Sequence, residues 1–188
     1  MKKYYFIIYW FVFVQSIITV YAQYEAKLGL GIAKPELLES NSGFGGQLDG
    51  AYYINTYFSS GLGVHWYYLS YKLENNITDQ SNYFFYLINV SHYIPIDKSK
   101  LYLTIATGLY VEYYRSSLGD RYTDKYWGFS PQLGWLYPFS KKISMDIDFK
   151  SNFYTYFKDL SGQLHPAYNR DWDKLFSLNI GLAYKFKS

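Results

Sequence analysis

Few residues in this 188-residue chain could do chemistry: three His, no Cys, and 15 carboxylates. A hydrolase needs a Ser within hydrogen-bond reach of a His that a carboxylate orients. Asp159, Ser161, His165 and Asp171 lie near one another, but with neither Gly-x-Ser-x-Gly nor His-x-Ser spacing. They read as solvated side chains of a polar loop. His65 reads as an interior hydrogen-bonding group rather than a base, and His92 lies at the wrong end of its segment for a rim catalyst. A calcium site takes six or more oxygens. Asp171 and Asp173 around Trp172, and Asp146 with Asp148, are structural or solvated pairs on that count. Gly43, Gly45 and Gly46 mark a loop rather than a phosphate cradle. No catalytic, cofactor-binding or metal-ligating residue is assigned. What remains is a set of charges, Lys27, Asp49, Asp146, Asp148, Lys150 and Lys185, whose chemistry would be mutual pairing.

The elements that carry those charges are strands. From Phe176 to Phe186, Phe176, Leu178, Ile180, Leu182, Tyr184 and Phe186 share one face, and Ser177, Asn179, Gly181, Ala183 and Lys185 the other. A period of two is that of a β-strand. Around residue 147, Ile143, Met145, Ile147 and Phe149 oppose Ser144, Asp146, Asp148 and Lys150. Around residue 107, Leu101, Leu103, Ile105, Thr107, Leu109, Val111 and Tyr113 oppose Tyr102, Thr104, Ala106, Gly108, Tyr110 and Glu112. Eight strands are expected, over about 24–33, 44–54, 57–71, 83–94, 101–114, 126–139, 143–157 and 174–186. The fourth is more apolar on both faces than the others. Pro131 lacks a ladder donor, so a bulge or bend is expected there.

The N-terminus reads as an export signal. Lys2 and Lys3 precede an apolar run from Tyr4 to Val20, and Val20-Tyr21-Ala22 suits cleavage after Ala22. The expected division is a signal peptide over 1–22 and one domain over 23–188. That domain is near neutral, with 16 basic and 15 acidic residues, so nothing argues for nucleic acid. Without Cys, an exported chain has no disulfides to stabilise it. Backbone pairing closed on itself within a bilayer would do so, because unpaired polar groups there are costly.

Connections alternate in length. Asn55-Thr56, Pro95 to Lys100 and Ser140 to Lys142 are short. Pro35 to Gly43, Lys72 to Asn82, Arg115 to Lys125 and Lys158 to Asp173 are longer and polar. This is the pattern of an antiparallel up-and-down barrel, with short turns at one end and loops at the other. The chain holds 25 Tyr, 14 Phe and 5 Trp. Two aromatic belts are expected at membrane–water boundaries. Tyr68, Tyr71, Tyr83, Phe84, Tyr113, Tyr126, Trp127 and Phe157 would form the loop-end belt. Tyr52, Phe58, Tyr137, Phe139, Tyr184 and Phe186 would form the other.

The polar face also carries the small residues, among them Gly29, Gly31, Gly61, Gly63, Gly108, Gly134 and Gly181. Eight strands leave a narrow interior, so small residues belong inside and the apolar face outside. A soluble lipocalin-like carrier would reverse this. In a closed barrel the seventh, eighth, first and second strands are neighbours. Asp146, Asp148, Lys150, Lys185, Lys27 and Asp49 are then expected to form a lumenal ion-pair network toward the short-turn end, plugging the barrel. Asn179, Gly181, Tyr184 and Phe186 fit a polar-x-Gly-x-x-hydrophobic-x-hydrophobic pattern. It resembles the terminal-strand signal read by the outer-membrane barrel insertion machinery, although Lys187 and Ser188 follow the last aromatic.

On these residues the chain resembles the small eight-stranded outer-membrane barrels of the OmpA/OmpX and PorT-like kind. The resemblance implies an all-β transmembrane barrel in the outer membrane, in contact with lipid and with the insertion machinery. It implies no cofactor, and a structural, adhesive or surface-interaction role through the long loops, with an unknown surface ligand. A narrow channel for small or hydrophobic solutes and a lipid A-modifying barrel enzyme are the alternatives.

Overall fold

The computed structural model describes residues 23–35, 42–72, 78–156 and 173–186. Residues 1–22, Asp159, Ser161, His165, Asp171, Trp172 and Phe157 lie outside them. Eight strands form one closed antiparallel barrel in sequence order. They are β1 (Gln23–Pro35), β2 (Gly43–Tyr53), β3 (Phe58–Lys72), β4 (Thr78–Ile96), β5 (Ser99–Arg115), β6 (Arg121–Pro138), β7 (Ile143–Tyr156) and β8 (Asp173–Lys185).

Pairing fixes the dimensions. Following register partners once around, Gln23 leads to Tyr53, Ser59, Ser91, Thr104, Gln132, Lys150, Ser177 and back to Ala33. The path returns ten residues further along β1. With strands ~4.7 Å apart and rising ~3.3 Å per residue, that stagger tilts them by about 40°. Such a tilt belongs to small barrels whose interior side chains fill.

Alternation puts the apolar face outside. Leu30 is 71% exposed, Ile105 69% and Leu62 66%, whereas Lys150 is fully buried. The outward apolar side chains run around the whole barrel, far beyond the few hundred Å² a soluble monomer exposes. Lipid is the solvent such a face requires. Thr107, on that face, donates its hydroxyl to the Gly128 carbonyl at 2.9 Å.

The interior is layered. Toward the loop end, Tyr67, Phe85, Tyr83, Tyr110, Tyr126 and Tyr154 form an aromatic core. Phe85 stacks on Tyr110 at 4.2 Å between centroids. Toward the short-turn end, Tyr53, Tyr93, Tyr102 and Leu136 form a second. Tyr83 and Tyr126 were expected in the outer belt, but they face inward and are buried. Their odd or even position in the strand decides this: each shares parity with its strand's interior residues. Trp127, Tyr113, Tyr137, Tyr184 and Phe186 do face out.

Two sequence expectations change. The long connections 72–82 and 115–125 shrink to 73–77 and 116–120, because β4, β5 and β6 continue as paired strands of 19, 17 and 18 residues. About ten tilted residues cross a membrane, so this side of the sheet rises beyond it. Polar residues pair there as well as apolar ones, since the ladder is made of backbone, and Tyr114 stacks on Tyr122 at 4.4 Å. The second change concerns Pro131. The β6–β7 ladder stops at Phe129–Phe153 and resumes at Gln132–Lys150 in the same register. No residue is inserted, so there is a gap rather than a bulge. Inside it, the Ser130 hydroxyl donates to Asn152 Oδ1 at 2.9 Å, a side-chain bond across the strands.

Candidate functional site

Between the two aromatic layers lies a charged layer. Strand β7 supplies Asp146, Asp148 and Lys150, because alternate residues share its inner face. Strand β1 adds Lys27, β2 adds Gln47 and Asp49, β3 adds His65 and β8 adds Asn179.

Two groups are visible. In the first, Lys27 Nζ stands 3.2 Å from Asp146 Oδ2 and 3.9 Å from the centre of the Tyr102 ring. The Lys27–Asp146 contact is an ion pair by distance, off line for a hydrogen bond. Tyr102 donates its hydroxyl to Asp146 Oδ1 at 2.7 Å and accepts from Gln132 Nε2 at 3.1 Å. In the second, Asp148 accepts from Gln47 Nε2 at 2.7 Å and from Asn179 Nδ2 at 2.8 Å. Lys150 Nζ lies 3.7 Å from Asp148 Oδ1, donates to Gln47 Oε1, and approaches the His65 ring within 3.4 Å. His65 Nε2 in turn meets Asp49 Oδ1 at 2.8 Å.

Room for these groups comes from missing side chains. A Cβ on Gly134 would lie 2.1 Å from Tyr102 Cζ, and one on Gly63 would lie 2.1 Å from Asp49 Oδ1. Burial of this depth makes every partner matter, because a charge left alone in a dry interior is costly.

The structure brings Lys27, Asp49, Asp146, Asp148 and Lys150 into one layer. It does not bring Lys185. Asp146 is opposite Gly181 in the β7–β8 register, so Lys185 lies four residues closer to the rim. There it is opposite Glu25, with its ammonium 5.8 Å from the centre of the Tyr53 ring. Asp49 takes His65 rather than a lysine as its hydrogen-bond partner. Sequence reasoning missed Gln47, Tyr102 and Asn179 as network members. Their inward parity was readable, but the pairing across the lumen, more than a hundred residues apart for Gln47 and Asp148, was not.

In the terminal strand, Asn179 and Gly181 face in, and Tyr184 and Phe186 face out, edge to face at 5.1 Å. Gly181 is opposite Gly29 on β1, where a Cβ would lie 2.2 Å from the Leu28 carbonyl.

Among the described residues no group of three or more His, Cys, Asp or Glu is placed to hold a metal ion. What the layer can do is fill and tie together the interior of the barrel.

An eight-stranded antiparallel barrel with an apolar exterior and a charged, filled interior is a transmembrane β-barrel. The chain belongs to the outer membrane protein beta-barrel domain family, which it matches over residues 18–186, and its place is the outer membrane. Solved structures with the same fold include Ail, the attachment invasion locus protein of Yersinia pestis, in complex with the heparin analogue sucrose octasulfate. It is 12% identical, with a TM-score of 0.58 over 88% of this chain and 99% of that one. Neisserial surface protein A is 13% identical, with a TM-score of 0.61 over 88% and 97%. A major outer membrane protein of Thermus thermophilus is 17% identical, with a TM-score of 0.56 over 88% and 99%. No curated protein sequence matches the chain.

Proposed function

We propose that this protein is a non-enzymatic, sealed outer-membrane barrel with a structural, adhesive or surface-interaction role at its loop end. The filled lumen carries this reading. Lys150 and Asn152 have no exposed surface, Asp146, Asp148 and Asn179 have 1%, and aromatic layers lie on both sides of them. A channel needs a continuous wet path, and this interior offers packed rings and paired charges instead. Loops on a rigid scaffold are where binding concentrates. Two proteins of the same fold bear names that point to the cell surface, the attachment invasion locus protein and the neisserial surface protein. The connection between β7 and β8, residues 157–172, is the longest and the first candidate for a ligand.

The reading includes removal of residues 1–22 and recognition of the last strand by the insertion machinery. It also sets the short turns toward the periplasm and the loops outside, as in other outer-membrane barrels.

Conductance in a planar bilayer tests the seal. The wild-type barrel should stay closed, and Lys27→Ala, which removes the ammonium between Asp146 and Tyr102, should raise conductance. Steady conductance of the wild type would favour the channel reading. A changed lipid A profile in a deletion strain would favour the enzyme.

A further inference from the structure

The part of the sheet that rises past the membrane sorts its charges by face. Glu112 of β5 and Asp124 of β6 take inward positions, as does Asp79 of β4. Glu112 accepts from the Ser81 hydroxyl at 2.6 Å and the Tyr126 hydroxyl at 2.7 Å. Asp79 accepts from the Tyr114 hydroxyl and from the Ser117 amide at 3.0 Å. Arg115, Arg121 and Lys125 take the opposite parity, and all three are exposed. Arg115 and Arg121 are direct register partners. Like charges placed opposite one another destabilise a strand pair. Among the described residues none of the three cations has a carboxylate partner.

Their height gives the anion its identity. Tyr113 and Trp127 lie on the same outward face, 49% and 48% exposed, as rings do at a membrane–water boundary. Arg115 is two residues beyond Tyr113, about 5 Å further along the membrane normal for strands at this tilt. The cations therefore look sideways from the lipid-facing wall at the level of lipid headgroups, rather than upward from the loop tips. A planar guanidinium pairs with phosphate through two parallel hydrogen bonds.

We propose that Arg115, Arg121 and Lys125 form a binding site for the phosphate of an anionic lipid in the loop-end leaflet. That this lipid is lipid A rests on the outward orientation of the loops; the phosphate site itself does not, and is independent of the lumenal seal.

Native mass spectrometry of the full folded chain, released from micelles, tests it. The probes are bis-phosphorylated lipid A, the same lipid without phosphates, and a soluble sulfated oligosaccharide. Wild-type protein should retain the phosphorylated lipid at least tenfold better than the phosphate-free one. Arg115→Gln with Arg121→Gln should abolish the preference. Arg115→Lys with Arg121→Lys should keep part of it, and Lys141→Gln with Lys142→Gln, in a short turn, all of it. Equal retention of the two lipids, or an intact preference in the double Gln variant, would overturn the site. So would binding of the oligosaccharide without any lipid preference, which would make the patch a reader of soluble polyanions. Conductance of the wild type would refute the seal and leave this result untouched.

Discussion

Lys150 has no exposed surface, and its ammonium stands among Asp148, Gln47 and His65. Replacing it with Met keeps the volume and leaves Asp148 a buried carboxylate with two amide donors and no cation. Breaking a buried pair in this way typically costs about 3–5 kcal/mol. Lys150→Met should lower the temperature at which the unboiled barrel unfolds on a cold detergent gel. Adding Asp148→Asn should restore much of the loss. A loss in the double variant equal to the sum of the losses in Lys150→Met and Asp148→Asn alone would show that the pair is not coupled. Gly134 has a different role, as space for Tyr102, whose Cζ would sit 2.1 Å from a new Cβ. Gly134→Val should destabilise the barrel by about 1–3 kcal/mol through overpacking, and should displace the Tyr102 ring from Lys27 and its hydroxyl from Asp146. The same gel reads it, and unchanged heat resistance would contradict the packing. At this scale the sequence was half legible. Parity marked Lys27, Asp146, Asp148 and Lys150 as inward. It could not show that Lys185 stands four residues too near the rim, because that depends on the β7–β8 register.

Each strand writes its two faces into its own residues, so the existence of eight strands was legible. The strongest case is β8, where every outward residue from Phe176 to Tyr184 is apolar or aromatic. Strand ends were less so. Residues 78–82 and 121–125 are polar and read as loop, yet they pair, because outside the membrane a ladder needs only backbone groups and a neighbour. At Pro131 the missing donor suggested a bulge or a bend, and the continuous register on both sides excludes the inserted residue of a bulge. Aromatic side chains were ambiguous for a related reason. Tyr suits a boundary and also fills a narrow lumen, and only parity separates Tyr113, facing out, from Tyr110, facing in.

The whole molecule is a soluble fold turned inside out. Its apolar face contacts lipid, its charges pair with one another in the centre, and rings close both ends of the interior. A stagger of ten over eight strands leaves an interior that side chains can fill, which is why one scaffold can be both rigid and membrane-borne. On the proposed reading, surface interaction falls to the connections at the loop end, between β1 and β2, β3 and β4, β5 and β6, and β7 and β8. Everything in this architecture depends on the direction of the two strand faces. The chain has no Cys, so single cysteines can be placed along β8 at Ser177, Leu178, Asn179, Ile180, Leu182 and Ala183 and spin-labelled in lipid vesicles. Labels at Leu178, Ile180 and Leu182 should be accessible to oxygen dissolved in the bilayer, and labels at Ser177, Asn179 and Ala183 should be shielded, in strict alternation. The opposite alternation, or labels at Leu178, Ile180 and Leu182 that only a water-soluble reagent reaches, would contradict the barrel described.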